Sequence, residues 1–581
     1  MKIILNDYDV RFTDKQIFAD TETMGLYGQV RLLQIHCPSL SDNVYVFDIE
    51  DYPLVLMKKR LSEASSVVGH NWKYDIDCLG WIPESWEDTY ILDTILNFNI
   101  DGHGLDQVAE RVFGYDPYEN MFSGNLDCSI DGKPIKFSTL IAYDKKKLQK
   151  SDWSKKLLPS QYAYAALDVL ILPRILKTYD IEKAGWTYNL DKATVVAFAR
   201  MGQKLPIHVE GLKAQQVINN EKIEEFDLPI NVNSYKQVRA YIDHDQSDDE
   251  ALASMCSNGN EKACQVRTVR SLRKQNSFIK KFLEANDGED YIEGHLNVGT
   301  RNGRSKCSNQ NLQQVPLTLK KYIKSKKYMI YSDYAQLELR SLCALIGEPV
   351  LEKLFREEAD LHSFVRDSLF KSDQHISDAG RGNSLRQIAK IYNFASLYGA
   401  GWQTIGNVLT KFTGMQLSEA ELRKHKKTWL STFPGIKAWH DRNIRHWQAK
   451  RTLSTPMGRK YIGKLPTDTN NIQNSGAGAE IAKLSLVRIV DRVPTPEDLL
   501  MFVHDSVTAE ADTLEEAKAI GEIMAEEMSN SWFEVSKFMK IKDLPMVINV
   551  FVKEQGDWKS VDDTPDAEFT FNKVKGVAQW K

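Results

Sequence analysis

The residues of this chain best suited to chemistry are carboxylates set at the ends of apolar runs. In YSDYAQLELR (331–340), Asp333 follows the apolar stretch Tyr328, Met329, Ile330 and Tyr331 and precedes helix formers that include Leu337, Leu339 and Leu342. A carboxylate at the end of a buried strand is held firmly while facing solvent, so it can grip a metal ion; taken alone it more often caps the following helix. In KQIFADTETM (15–24), Asp20 and Glu22 are two apart on a predicted strand and so face one side. Asn71 and Asp75 stand four apart at a helix start, and Tyr164 and Asp168 four apart on one helix face. Asp20, Glu22, Asp75 and Asp168 are thus four carboxylates on three elements. Hard oxygen ligands without His or Cys point to magnesium or manganese rather than zinc. In RQIAKIYNFASLYG (386–399), Arg386, Lys390 and Phe394 recur every four residues with Tyr398 at the edge of the same face. Two cations and an aromatic in one stripe suit a nucleoside triphosphate, and an amphipathic surface helix is the plainer alternative.

A chain of 581 residues divides into roughly three to five folding units. Its 42% hydrophobic and 27% charged content is that of an ordinary globular protein. No apolar run approaches ~18 residues, so no membrane span is expected, and MKIILNDYDV fits neither a secretory signal nor a transit peptide. Seven cysteines without a CxxC pair predict a reducing, cytoplasmic setting and no structural zinc. The net charge of −4 means that a nucleic-acid partner needs a local basic face. One candidate is the stripe of Arg267, Arg270, Arg273 and Lys274, followed by Lys280 and Lys281, in the helical, polar region 178–290; a solvated face is the alternative. The Arg-, Asn- and Gln-rich block 299–316 could donate to minor-groove acceptors shared by all base pairs, or be a polar linker. Lys320, Lys321, Lys324, Lys326 and Lys327 follow and could meet phosphates.

The DxE, NxxxD and YxxxD segments, in that order, resemble the three motifs of the DEDD-class 3′–5′ proofreading exonucleases of the tyrosine subtype. HGLDQVAERVFGY (103–115) is similar to the helix which that family carries before its third motif. The resemblance implies a two-ion site, ions about 4 Å apart, held by Asp20, Glu22, Asp75 and Asp168, with Tyr164 orienting the attacking water. Downstream, YSDYAQLELR resembles the DYSQIELR motif of family A DNA polymerases, and RQIAKIYNFASLYG resembles that family's RxxxKxxNFGxxYG. GTRNGRSKCSNQNLQQVP is similar to TGRxSSxxPNLQNIP, TPMGRKYIGKLP to the GRRRYLP hairpin, NIQNSGAGAEIAKLSL to NxPxQGTAADIIK, and LLMFVHDSVTAE to the VHDE hairpin.

This second resemblance implies that Asp333, the Tyr334 carbonyl and Asp505 hold two magnesium ions, with manganese able to substitute. It implies that Glu338 lies under the incoming sugar and leaves no room for a 2′ hydroxyl. It assigns His362, Arg386, Lys390, Phe394 and Tyr398 to the dNTP, and Arg304, Arg459, Asn471 and His504 to DNA. Phe394 lacks a hydroxyl, which implies discrimination against dideoxynucleotides. Ala395, Ser475 and Ser506 depart from the motifs, and the roles of the glutamine and glutamate usual at the last two positions do not carry over. The expected architecture is multidomain α/β: an RNase H-like exonuclease domain over 1–180, then a right-hand polymerase with thumb 181–310, palm 311–344, fingers 345–432 and palm again 433–581. No 5′ nuclease is expected ahead of the exonuclease. The expected protein is a monomeric replicative polymerase of bacteriophage type, acting on primer-template DNA and dNTPs in the host cytoplasm, with a replicative helicase or primase as a further partner. The alternatives are a single-subunit RNA polymerase fused to an exonuclease, which Glu338 opposes, and a catalytically dead DNA-binding accessory subunit, which the retained carboxylates oppose.

Overall fold

The computed structural model describes residues 1–135, 137, 151–286, 288–370, 385–413 and 415–581. Its contacts divide the chain into two compact units. One comprises Met1–Arg200, Asn297–Gly303 and Gly458–Lys460; the other comprises Met201–Leu296, Arg304–Met457 and Tyr461–Lys581.

The first unit is built on an eight-stranded mixed sheet of β1 (Lys2–Leu5), β2 (Gln16–Thr23), β3 (Val30–His36), β4 (Asn43–Asp48), β5 (Ser66–Gly69), β6 (Trp86–Asp88), β7 (Ser129–Ile130) and β8 (Lys133–Pro134), in the order β6-β5-β2-β3-β4-β1-β7-β8. Strands β2, β3 and β4 form an antiparallel meander, whereas β5 joins β2 in parallel. The meander places Asp20 opposite Gln34 and Glu22 opposite Leu32, so the two acids share a face with Phe18. Helix α1 (Lys73–Leu79) carries Asp75, the short α2 (Pro117–Asn120) carries Tyr118, and α3 (Pro159–Leu170) carries Tyr164 and Asp168. Alanines and apolar residues of α3 join Phe18, Leu32, Val44 and Val46 in one core, which docks the helix on the acidic face of the sheet. Helix α4 (Ile181–Arg200) also belongs to this unit, beyond the boundary expected at 180. Its Tyr188 hydroxyl accepts from the Asp88 amide at 2.8 Å and donates to Glu87 at 2.6 Å.

The second unit centres on a six-stranded antiparallel sheet of β9 (Tyr328–Tyr334), β10 (Leu499–Val503), β11 (Ser506–Ala511), β12 (Ile548–Glu554), β13 (Ala567–Asn572) and β14 (Val577–Trp580), ordered β10-β11-β9-β12-β13-β14. As expected, the described residues of 178–290 are mainly helical, and α5 (Glu261–Ala285) carries the basic stripe. The remaining helices used below are α6 (Leu337–Ile346), α7 (Leu361–Phe370), α8 (Leu385–Leu397), α9 (Glu419–Thr432), α10 (Pro466–Arg492) and α11 (Leu514–Ser536). Residues 371–384, within the expected fingers 345–432, lie outside the described residues.

The cysteines require a correction. Cys256 and Cys264 form a disulfide between the helix Asp249–Ser257 and α5, a pairing that the spacing did not suggest. Cysteine content therefore does not by itself place the chain in a reducing compartment.

Candidate active site

Strand β9 runs to Tyr334, so Asp333 is a strand residue rather than a helix cap. The cap position belongs to Gln336, whose left-handed backbone (φ 60°) turns the chain abruptly from β9 into α6. Tyr334 fixes the strand end from below: its buried hydroxyl donates to the Met528 carbonyl at 2.7 Å and lies 2.5 Å from Ser485 Oγ. On the neighbouring hairpin, Val503 pairs with Ser506, leaving His504 and Asp505 as a two-residue turn with His504 at φ 58°. Because β11 lies directly against β9, this turn brings Asp505 beside Asp333.

Asp333, Asp505, Glu338, His362, Arg386, Lys390, Phe394 and His504 all line one cleft of about 470 Å³, joined by Arg304, Tyr334 and Ser475. Burial and the charges of Asp505 and Asp562 push the Asp333 carboxyl up to about 7; burial and the Glu338 charge push Asp505 up to about 6. A pair of half-buried carboxylates of this kind is a hard-oxygen donor set suited to divalent cations. Glu338 is clamped from both sides, by an ion pair with Arg304 and by the donated hydroxyl of Tyr398. Asn474 adds a hydrogen bond to the Glu338 carbonyl at 3.0 Å. Arg386 engages Asp360 through two hydrogen bonds of 2.6 and 3.0 Å, which hold that carboxyl well below the usual range.

Several expected contacts are placed elsewhere. Arg459 is only 2% exposed and forms an ion pair of 2.6 Å with fully buried Asp191, so its charge is spent in the interior rather than offered to a duplex. Asn471 is exposed on α10, outside the cleft, while its neighbours Asn470 and Asn474 turn inward. Ser506 is buried, with its hydroxyl on the Val503 carbonyl at 3.0 Å. In the basic stripe, Arg267 pairs with Asp249 at 3.1 Å and Arg270 bonds the Val232 carbonyl at 2.6 Å, whereas Arg273, Lys274, Lys280 and Lys281 are exposed. Lys327 is paired with Asp512 at 3.0 Å, and Lys326 with Asp290.

In the first unit, Asp20, Glu22 and Asp168 each bring a carboxylate oxygen within 4.8 Å of the others. Burial and the charges of Asp75 and Asp168 push Asp20 and Glu22 well above the usual carboxylate range. Asp75 stands outside this triplet: it is buried, accepts from the Thr21 amide at 2.8 Å and the Thr21 hydroxyl at 2.6 Å, and is pushed up to about 7 mainly by burial. Its charge still acts on Asp20 and Glu22. Tyr164 is buried, and its ring lies 5.6 Å from that of Tyr118. Tyr118, not singled out by the motifs, donates its hydroxyl to Asp168. Gln34, opposite Asp20, is fully buried, and both of its amide atoms lack a partner among the described residues.

An antiparallel sheet with one half-buried aspartate on its central strand and a second in the adjoining hairpin turn, faced by a helix carrying Arg386 and Lys390, has the makeup of the palm and fingers of a right-hand polymerase. A family model described as DNA polymerase family A matches residues 210–555, and the chain belongs to that family of DNA-directed DNA polymerases. It is 24% identical over 594 residues to DNA polymerase I of Aquifex aeolicus, covering 93% of this chain and 95% of that one. It is also 24% identical over 587 residues to the DNA polymerase of Mycobacterium phage D29, covering 89% and 91%. The fold is similar to that of the POL domain of Pol1 from M. smegmatis, solved with primer-template DNA and dNTP. The TM-score is 0.73 at 15% identity, over 97% of this chain and 100% of that one. No helix among the described residues is long and apolar enough to cross a membrane.

Proposed function

We propose that the chain extends a primer 3′ end from dNTPs on a DNA template, and that its first unit removes mispaired 3′ nucleotides, in a replicative role. The convergence of Asp333, Asp505, Glu338, His362, Arg386 and Lys390 on one cleft carries the first half of this reading. The three close carboxylates Asp20, Glu22 and Asp168 support the second half. Both donor sets fit magnesium, with manganese as substitute: they offer carboxylate oxygen only, clustered and partly withdrawn from solvent. When bound, such ions supply Lewis acidity and activate the attacking oxygen. Asp333 and Asp505 would hold them in the cleft; Asp20, Glu22 and Asp168, with Asp75 behind them, would do so in the first unit, where Tyr164 would orient water.

Arg386, Lys390 and His362 take the triphosphate, Arg386 exchanging Asp360 for phosphate oxygens. Glu338, fixed by Arg304 and Tyr398, closes the space a 2′ hydroxyl needs. His504 and, once released by incoming nucleotide, Arg304 face the primer terminus. A phage-type replicon, with a helicase or primase as partner and the host cytoplasm as setting, belongs to the same proposal; the matches to a phage DNA polymerase and to a bacterial DNA polymerase I support the polymerase reading alone.

Extension of a primed template with dNTPs and magnesium tests the polymerase reading directly. Two variants test the sugar contacts. Glu338→Ala is expected to admit ribonucleotides, lowering the preference for dNTPs by about a hundredfold or more, because a steric block is removed. Unchanged discrimination in single-nucleotide incorporation assays would remove Glu338 from sugar selection. Phe394→Tyr is expected to raise dideoxynucleotide incorporation by more than about tenfold, its hydroxyl replacing the missing 3′ OH. A variant no better than wild type in chain-termination assays would sink that role for Phe394.

A further inference from the structure

His362 on α7 lines the cleft beside Arg386 and Lys390, and its ring is held from behind by a chain of two hydrogen bonds. Asn393 Nδ2 lies 2.9 Å from His362 Nδ1, and Trp429 Nε1 donates to Asn393 Oδ1 at 2.8 Å. All three side chains are buried, Asn393 and Trp429 to 1% exposure. They come from three helices, α7, α8 and α9, which pack together.

The chemistry of the outermost member fixes the direction of the whole chain. An indole nitrogen can only donate, so the amide atom it meets is the Asn393 oxygen, and the atom facing His362 is therefore the NH₂ group. That group can only donate, so His362 Nδ1 must accept and cannot carry a proton. In the neutral imidazole the proton then sits on Nε2, the nitrogen not occupied by Asn393. Burial and the charge of Arg386 bring the imidazole down to about 4, which keeps it neutral near pH 7.

We propose that Asn393 is a positioning residue for nucleotide incorporation: oriented by Trp429, it commits His362 to the tautomer that presents an Nε2–H donor to the triphosphate. In the other tautomer a lone pair would face phosphate oxygens and repel them. The inference rests on the reading of His362 as a triphosphate contact. It adds to the cationic stripe a neutral donor whose direction is set by two residues that do not line the cleft.

The test is a double-variant cycle read in steady-state incorporation, together with nitrogen-15 spectra of histidine-labelled enzyme. Asn393→Ala is expected to raise KM for dNTP about tenfold, the scale of one hydrogen bond to a charged group, with a smaller change in kcat. In a His362→Ala background the same substitution should add nothing. Trp429→Phe, which frees the amide to turn over, should raise KM less and again only when His362 is present. The His362 imidazole, assigned by its loss in His362→Gln, should show a protonated Nε2 in wild type and mixed tautomers in Asn393→Ala. Additive effects in the double variant, or an unchanged imidazole spectrum, overturn the role of Asn393. An unchanged KM in His362→Ala overturns the triphosphate contact, and the inference with it; a raised KM there with an additive double variant overturns the inference alone.

Discussion

Asp505→Ala is expected to lower primer extension by at least about a thousandfold while leaving 3′ excision intact. Loss of a single preorganised donor at a reacting centre already costs about 10²–10³ in rate, and Asp505 is one of only two cleft aspartates assigned to the ions. The variant is not expected to unfold. Asp333 and Asp505 are raised to about 7 and about 6 by burial and by neighbouring acids, so each strains the metal-free protein. A carboxyl whose pKa is higher in the folded state than in the unfolded chain binds its proton more tightly when folded. Its contribution to stability is complete below about pH 4 and is lost as pH rises through about 7, amounting to a few kcal/mol for these two groups together. Asp505→Asn should therefore raise the Tm of chelator-treated protein near neutral pH, and magnesium should stabilise wild type more than the variant. Thermal melts with and without magnesium, at about pH 5 and about pH 8, measure both effects. A destabilised variant that still binds magnesium as wild type does would show that Asp505 is structural.

Asp20→Ala combined with Glu22→Ala is expected to produce the converse: 3′ excision lowered by at least about a thousandfold and primer extension unaffected. Both side chains leave one face of β2 and meet Asp168 from α3 within 4.8 Å, so removing them takes away two of the three close ligands. Their backbone neighbour Thr21 still anchors Asp75, so the packing behind the site is preserved. Hydrolysis of a labelled single strand, run beside extension of a matched primer, reads both activities. Loss of both activities in a folded variant would contradict two separate sites.

The parts of the fold legible in the sequence are those where spacing dictates geometry. Residues two apart on a strand and four apart on a helix must share a face, and so Asp20 with Glu22, and Arg386 with Lys390 and Phe394, stand as read. The assignment of Asp333 needed Asp505, 172 positions downstream, because only strand pairing brings a hairpin turn beside the end of β9. What was not legible depends on which way a polar side chain turns. Arg459 sits in a basic hairpin motif yet finds Asp191, a partner 268 residues away. Asn471, Asn470 and Asn474 share one helix, and a register difference of one to three residues decides which are buried. Tyr118 gives no spacing signal of its own, and Asn393, although it matches the Asn of RxxxKxxNFGxxYG, has no role that spacing alone suggests, since each acts on a group contributed by another helix. Arg270 belongs by charge and spacing to a candidate basic face, but a guanidinium can equally satisfy carbonyls of its own domain.

The most direct test of the account as a whole is extension of a primer with a mismatched 3′ end, by wild type, Asp505→Ala and Asp20→Ala with Glu22→Ala, supplied with either dNTPs or ribonucleotides. Wild type should excise the mismatch and then extend with dNTPs only. Asp505→Ala should shorten the primer without extending it, and the Asp20, Glu22 variant should stall at the mismatch while still extending a matched end. Excision that persists without Asp20 and Glu22, or extension that persists without Asp505, would contradict the assignment of the two chemistries to these two sites.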